Sequence, residues 1–274
     1  MGLAYDRLGS GPPLVLLHGV GHRRQAWQAV LDRLTPHREV IIADLPGHGE
    51  SPPLPAGQPV LPAMVRALAA LLDDLGLERP HVAGNSLGGR LALELGGAGR
   101  AASVTGLSPA GFWRSAREAG VARATFRVME TAGGRLRRFA PAISRHTAGR
   151  AVVYGAVVSR PSRMTAEQAL GDMTAFLAAH DALHAILAQM TPYTGQIPAD
   201  VPVTIAWGTR DRLLRPPQVL VAKERLPQAR IRPLPGCGHV PMTDDPALVA
   251  DVLLQGSGRV LAGQPRRHSS AMGA

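Results

Sequence analysis

The residues with the clearest chemical potential in this chain surround one serine. Ser86 lies at the centre of the motif G-N-S-L-G, residues 84–88, which follows an apolar run at 81–83 and precedes a helix-like stretch at 89–95. A serine at a sharp strand-to-helix turn is held outward in a strained conformation, and small neighbouring residues relieve the crowding of that turn. The pattern therefore predicts a nucleophilic serine at the end of a strand.

His239 and Asp211 are the best candidates for the partners that such a serine requires. A serine hydroxyl is hardly ionised at neutral pH, so it needs a base close by and an acid that orients the base. Of the ten histidines, His239 lies in a glycine-flanked loop, residues 236–241, directly after an apolar run. Asp211 likewise follows the apolar run 201–207. The three candidates thus follow strand ends in the order Ser86, Asp211, His239.

The elements that must position these residues alternate along the chain. Continuous apolar runs are typical of strands buried on both faces of a parallel sheet, whose ligands bind at the carboxyl ends of the strands. Residues 5–8 predict an additional antiparallel edge strand. The predicted inner strands are 13–17, 40–43, 82–83, 103–107, 201–207 and 229–234, and the predicted helices between them are 25–34, 63–75, 87–96, 217–226 and 246–254.

The alternation of strands and helices is interrupted once, which predicts the domain organisation. Residues 110–195 contain arginine- and alanine-rich, helix-forming sequence and no convincing buried strand. We expect an α/β core formed by residues 1–109 and 196–256, with a mostly parallel sheet flanked by helices, and an all-helical cap inserted at 110–195. Glycine, serine, arginine and proline dominate the end of the chain, so residues 257–274 are predicted to be a flexible tail.

Charge and composition narrow the classes of partner. The 274 residues carry a formal net charge of +10, and eleven arginines between positions 114 and 163 supply most of the excess. No aromatic interleaving or nucleic-acid motif accompanies them, so we expect no nucleic-acid partner but a field that draws anionic substrates toward a cleft. A single cysteine, no secretory leader pattern and no apolar run of about 18 residues predict a cytoplasmic protein without a membrane span.

Five local patterns together resemble the α/β-hydrolase fold superfamily, over roughly residues 14–254. They are H-G at 18–19 with Trp27 in the region that follows, D-L-P-G-H-G-E-S at 44–51, the serine motif at 84–88, G-T-R-D at 208–211 and G-C-G-H-V-P at 236–241. The order of Ser, Asp and His along the chain is also the order of that superfamily.

The resemblance implies a role for each candidate residue. Ser86 would be the nucleophile, His239 the general base and then acid, and Asp211 the orienter of the imidazole. The backbone N–H groups of Val20 and Leu87 would form the oxyanion hole, in which the identity of the side chain carries no chemical penalty. No cofactor and no metal ion are expected.

Other residues that attract attention have simpler interpretations. The superfamily's alternative acid position corresponds to S-P-A at 108–110, which holds no carboxylate. His180 and His184 are spaced i, i+4 on a predicted helix, but the glutamate of H-E-x-x-H is absent, so the sequence alone favours no metal site. Cys237 fits a tight turn better than a nucleophile, and His48 fits a role in structuring its own loop.

The serine at the elbow favours acyl transfer, because members of the superfamily that open epoxides or displace halide use an aspartate there. We expect hydrolysis of a carboxylic ester or a lactone through an acyl-enzyme. A hydrolase of C–C bonds in ring-fission products is the alternative: H-G-V-G at 18–21 resembles this type and the lactonases, but H-R-R follows it and no tryptophan closely follows His239. A ligand-binding receptor with little turnover is an alternative of a different class.

Overall fold

Seven strands form one sheet in the computed structural model, which describes residues 2–258. The strands are β1 (Tyr5–Gly9), β2 (Pro13–Leu17), β3 (Glu39–Ala43), β4 (His81–Asn85), β5 (Ser103–Leu107), β6 (Val203–Gly208) and β7 (Arg230–Leu234). Their order is β1-β3-β2-β4-β5-β6-β7, and β1 is the edge strand that runs antiparallel to β3. The other pairs are parallel. The predicted fold class, including the antiparallel edge strand, is confirmed.

The helices that flank the sheet are those that the sequence periodicity predicts, with small changes at their ends. A 3-10 turn, Arg24–Trp27, takes the first part of the predicted helix 25–34. The α-helices are α1 (Gln28–Leu34), α2 (Val60–Asp74), α3 (Leu87–Gly97), α4 (Ala116–Leu136), α5 (Ala140–Arg145), α6 (Thr147–Tyr154), α7 (Ala166–Ala178), α8 (His180–Gln189), α9 (Gln218–Arg225), α10 (Pro241–Asp244) and α11 (Pro246–Gly256).

The register of the parallel strands aligns their carboxyl ends. Leu17 pairs with Gly84, Gly84 with Gly106, and Gly106 with Ile205, so these four residues form one row across the sheet. The inner strands are almost completely buried on both faces, which is why they appear as continuous apolar runs in the sequence. The loops that follow β2, β4, β5 and β6 therefore all leave the sheet at the same edge.

Helices α4 to α8 lie between β5 and β6, and residues 110–195, all of which are described, contain no strand. We refer to residues 110–195 as the helical insertion. The insertion is tied to the sheet domain by hydrogen bonds at separate points: the amide of Val60 at the start of α2 donates to Gln189 Oε1 (2.9 Å), and Arg212 Nη1 donates to the Gly155 carbonyl (2.8 Å).

The end of the described chain is anchored rather than free. The Ser257 side chain is buried, and Arg38 donates hydrogen bonds to its hydroxyl (3.1 Å) and to its carbonyl (2.8 Å). The rest of the predicted tail, from residue 259 to 274, lies outside the described residues. Within residues 2–258, no helix combines the length and the apolar character needed to cross a membrane.

Candidate active site

Ser86 occupies a strained turn between β4 and α3. Its backbone dihedrals are φ 56° and ψ −114°, a positive φ that a residue with a side chain rarely adopts. The flanking glycines are required by contact: a Cβ at Gly84 would lie 2.2 Å from the carbonyl group of Gly88, and one at Gly88 would lie 2.0 Å from the Leu17 carbonyl oxygen. The sequence motif thus encodes a turn too tight for any side chain at either position.

His239 has a hydrogen-bond partner, Asp211, at one ring nitrogen and none among the described residues at the other. Its Nδ1 lies 2.8 Å from Asp211 Oδ2, and both side chains are buried. The second carboxylate oxygen, Oδ1, accepts the amides of Leu213 (2.9 Å) and Leu214 (2.8 Å). His239 Nε2 is buried and has no hydrogen-bond partner among the described residues. This arrangement suits an imidazole that donates from Nδ1 and can accept a proton at Nε2.

Ser86 and His239 line the same cavity, whose volume is about 550 Å³. Gly19 and Val20 also line it, while Asp211 lies behind His239. The opposite walls come from the helical insertion and are mainly apolar, with Phe126, Met129, Leu136, Val152, Val153, Met173 and Phe176 among their residues. The structure therefore brings a nucleophile candidate and a base candidate together at the floor of a largely apolar chamber.

Val20 and Leu87 lie near Ser86 on two different segments. Two backbone N–H groups that bind the same substrate oxygen would need such positions. A Cβ built at Gly19 would lie 3.3 Å from Ser86 Cβ, so the backbone that leads to Val20 passes directly beside the serine. Leu87 is the first residue of α3, where helix amides have no partner within the helix. Val20, Ser86 and Leu87 also line a smaller cavity of about 30 Å³ beside the main one. The two backbone N–H groups are thus placed near the serine, one on each neighbouring segment.

His18 fixes the backbone just before Val20 and does not take part in the cavity. Its Nδ1 lies 2.8 Å from the Gly19 carbonyl oxygen, and its Nε2 accepts the amide of Leu45 at 3.0 Å, so the ring is the neutral tautomer with a proton on Nδ1. Complete burial lowers the pKa of His18 well below its usual range, which agrees with this neutral form. The histidine therefore joins the loops after β2 and β3.

Asn85 connects the serine turn to the histidine loop, a role that the sequence does not reveal. Its Nδ2 donates to the carbonyl oxygens of His239 (2.8 Å) and Leu107 (3.1 Å). Position 85 is a variable position of the serine motif, so nothing in the local pattern distinguishes this asparagine from any other residue.

Asp244 provides a second connection, between the histidine loop and the helical insertion. Its carboxylate is fully buried and accepts three backbone amides, from Gly238 (2.7 Å), Ser159 (3.1 Å) and Arg160 (2.6 Å). Asp244 follows His239 by five residues, but the sequence gives no sign that the amides of a distant segment bind it.

Two polar residues that the sequence analysis missed interrupt the apolar cavity wall. His22 lies two residues after Val20. Asp172 lies on α7 and is only 6% exposed. Burial raises the pKa of the Asp172 carboxyl and lowers the pKa of His22. Gly171 lets the guanidinium of Arg23 pack against α7, because a Cβ there would lie 2.0 Å from Arg23 Nη2. These two residues therefore add polar groups to the cavity besides Ser86 and His239.

Gly21 lets the helical insertion approach the loop after β2. Its φ is +73°, and a Cβ at this position would lie 2.4 Å from Cδ2 of Phe176 on α7. The Phe176 ring in turn stacks on Phe126 of α4, with ring centroids 6.5 Å apart. The space beside Gly21 is filled by an aromatic side chain of the insertion.

The remaining candidates from the sequence, Cys237 and His48, have surroundings that indicate structural rather than catalytic roles. Cys237 is fully buried, and burial raises the pKa of its thiol to about 12, so it is not a thiolate at neutral pH. The Nδ1 of His48 lies 3.0 Å from the carbonyl oxygen of Pro46 in its own loop. After β5, where no carboxylate is present, the Ser108 hydroxyl instead accepts the amide of Gly208 at 3.4 Å.

The parallel sheet, the strained serine turn and the buried histidine–aspartate pair define the class of protein. Residues 14–252 match the family described as the alpha/beta hydrolase family. The chain belongs to the α/β hydrolase family, and it is an enzyme of the hydrolase type.

Curated relatives differ in how much of the chain they match. An uncharacterised protein of Mycobacterium tuberculosis is 29% identical over 272 residues, which cover 91% of this chain and 76% of the relative. The acetyltransferase component of the acetoin cleaving system of Cupriavidus necator is 40% identical, but over 39% of this chain and 29% of its own length. A pimeloyl-[acyl-carrier protein] methyl ester esterase of Aeromonas salmonicida is 36% identical over 35% of this chain and 36% of its own length.

Solved structures share the fold over almost the whole chain. An esterase from Thermogutta terrifontis superimposes with a TM-score of 0.69 at 24% identity, covering 92% of both chains. A bacterial membrane phospholipase A gives a TM-score of 0.72 at 24% identity, covering 93% of this chain and 83% of the other. At these identities the similarity establishes the architecture alone.

Proposed function

We propose that this hydrolase cleaves carboxylic esters or lactones by a serine mechanism, with Ser86 as nucleophile, His239 as base and Asp211 as orienter. One observation carries the proposal: Ser86 and the unpartnered Nε2 of His239 are found at one cavity, while Asp211 accepts from the opposite nitrogen of the ring. The partial similarity to a methyl ester esterase supports ester chemistry.

The mechanism follows from these positions. His239 takes the proton of Ser86 as the serine oxygen attacks the substrate carbonyl, and the N–H groups of Val20 and Leu87 stabilise the oxyanion that forms. The imidazolium, held by Asp211, then protonates the departing alkoxide and leaves an acyl-enzyme. Water, deprotonated by His239, attacks this ester. As the second tetrahedral intermediate collapses, the imidazolium of His239 gives this proton to the departing oxygen of Ser86, and the acid is released. With a lactone the departing alkoxide remains attached to the product, which is a hydroxy acid.

The shape of the cavity supports substrates with an apolar portion. We assign the helical insertion as a cap whose inner surface, mostly from α4, α6 and α7, would hold an alkyl or aryl group of the ester. None of the eleven arginines at positions 114–163 lines this cavity in the described structure. Arg123 lines the smaller cavity beside Ser86, so we expect only the other ten arginines to act solely during the approach of an anionic substrate.

A p-nitrophenyl butyrate assay and a fluorophosphonate probe test the proposal. Ser86→Ala should lower kcat/KM by at least about 10⁴-fold and abolish covalent labelling, while the exposed control Ser10→Ala should behave as wild type. Labelling that persists in Ser86→Ala would place the nucleophile elsewhere. Binding of an ester without turnover in the wild type would instead favour a receptor, and turnover of a ring-fission dienone but of no ester or lactone would favour the C–C hydrolase alternative.

A further inference from the structure

A cluster of one carboxylate and two imidazoles lies on the helical insertion, apart from the cavity lining. Glu130 comes from α4, and His180 and His184 come from the first part of α8. Glu130 Oε1 lies 2.5 Å from His180 Nδ1, and Glu130 Oε2 lies 2.9 Å from His184 Nε2. The two rings are 4.5 Å apart between centroids. We refer to these three residues as the Glu130 cluster.

The Glu130 cluster has the composition and the spacing of a metal site. One possible ligand atom from each residue lies within 4.8 Å of the others. Residues at i and i+4 of a helix face the same side, so His180 and His184 present their rings to a common point, and Glu130 faces that point from another helix. The glutamate of H-E-x-x-H is a catalytic base rather than a ligand, so its absence from α8 does not argue against metal binding.

We propose that the Glu130 cluster binds one divalent transition-metal ion of the zinc type. Two imidazole nitrogens and one carboxylate oxygen are a ligand set that Zn²⁺ accepts, with water completing a tetrahedron. Ligand atoms about 2.0–2.1 Å from zinc are about 3.3 Å apart in that geometry. The present contacts of 2.5 Å and 2.9 Å, each to a different oxygen of Glu130, need to lengthen by less than about 1 Å, and ligand atoms that are now up to 4.8 Å apart need to approach by at most about 1.5 Å. The ion would lie between the ring nitrogens and the carboxylate, which are joined by hydrogen bonds in the ion-free cluster.

Access and donor type agree with such a site. The side chains of His180 and His184 are 60% and 50% exposed, so an ion can reach them without opening the fold, whereas Glu130 is 18% exposed and already oriented by both rings. Magnesium prefers oxygen ligands and keeps its waters, so this nitrogen-rich set should discriminate against it. The proposal is independent of the hydrolase mechanism, because none of the three residues lines the cavity.

Occupation of the site would join two helices of the insertion. Met129 and Ala132, on either side of Glu130 in α4, line the cavity of Ser86. A metal that links α4 to α8 would therefore restrain one wall of that cavity, and binding to the folded state alone would raise the unfolding temperature.

The test is a calorimetric titration of the untagged, chelator-treated full chain with ZnCl₂ and, separately, with MgCl₂. The wild type should bind one zinc ion with a raised unfolding temperature and no magnesium. Glu130→Gln and His184→Asn should each weaken zinc binding at least tenfold and remove the thermal shift. The exposed controls Glu167→Gln and His146→Asn should behave as wild type.

Two results would overturn the proposal. The first is zinc binding of wild-type strength in both cluster variants, which would place the ion elsewhere. The second is absence of zinc binding in the wild type, which would leave Glu130 as a hydrogen-bond partner of the two histidines. Because His184 is half exposed, His184→Asn keeps the test valid even where Glu130→Gln does not fold.

Discussion

Replacement of Asp211 by asparagine separates the proposed orienting role of this residue from its role in the fold. The two carboxylate oxygens of Asp211 have different partners. Oδ1 accepts hydrogen bonds from the backbone amides of Leu213 and Leu214, and Oδ2 accepts a hydrogen bond from Nδ1 of His239. Asparagine has the same shape but only one oxygen. The single oxygen of asparagine can therefore keep either the hydrogen bonds from the two backbone amides or the one from His239, but not both.

We expect the amide oxygen of Asn at position 211 to stay with the two backbone amides. The reverse orientation would set an NH₂ group against two buried N–H donors and lose two hydrogen bonds, whereas the first orientation changes one contact only. The NH₂ group then points at His239 and donates to Nδ1, so the ring must carry its proton on Nε2. An imidazole in that tautomer cannot accept the proton of Ser86.

The expected cost is a loss of about 10⁴ in kcat, which corresponds to about 5.5 kcal/mol of transition-state stabilisation. Stability should change little, because the number of hydrogen bonds around position 211 is preserved. Steady-state hydrolysis of p-nitrophenyl butyrate and urea unfolding measure the two quantities, with Asp32→Asn at an exposed position as the matched control. An Asp211→Asn variant that folds normally and keeps activity within tenfold of wild type would refute the assignment of Asp211.

Three further substitutions test the supports of the site. Asn85→Ala leaves the carbonyl of His239 without its donor, and should lower kcat and remove about 1–3 kcal/mol of stability, measured by turnover and urea unfolding of the same preparation. Gly21→Ala should destabilise more than Gly57→Ala in urea unfolding, because both glycines have φ near +75° but a Cβ meets an aromatic ring of α7 at 2.4 Å in the first case and nothing within 4 Å in the second. Burial raises the pKa of Asp172, so the folded state binds its proton more tightly than the unfolded chain and stability falls as pH rises through the folded pKa. Asp172→Asn should remove this fall, so that its stability relative to wild type increases from pH 4 to pH 7 in urea unfolding; a constant difference would contradict the assigned shift.

The parts of the site that the sequence predicts are those that short motifs encode through backbone geometry. A Cβ added at Gly84 or at Gly88 would collide with neighbouring backbone, so the motif of residues 84–88 is enough to predict the serine turn. Apolar runs end where Ser86, Asp211 and His239 follow, and the parallel register brings those ends to one edge. Such inferences need only local sequence and the rule that parallel strands share an edge.

The parts that the sequence does not predict depend on how distant segments pack. Asp172 carries no motif, and it lies at the cavity only because α7 packs over the loop that contains Gly21. Glu130 is separated by 50 residues from His180, so the sequence around the i, i+4 histidine pair on α8 does not show the third residue of the cluster. Asn85 occupies a position that any residue could fill according to the motif. In each case the information lies in how distant segments of the chain pack together, which local periodicity does not contain.

The buried carboxylate of Asp244 limits how the proposed cap could open. It binds the amide of Gly238 in the histidine loop together with those of Ser159 and Arg160 in the insertion. A cap that moved as one rigid body would break two of these buried, charge-assisted hydrogen bonds and disturb the loop that holds His239. We therefore expect substrate access to come from separation of α4 and α6, whose residues Val128 and Val152 are exposed at the cavity wall, while the segment at 159–160 stays in place. Hydrogen exchange should then be faster in the amides of α4 and α6 than in those of Ser159 and Arg160, and the opposite order would favour movement of the whole insertion.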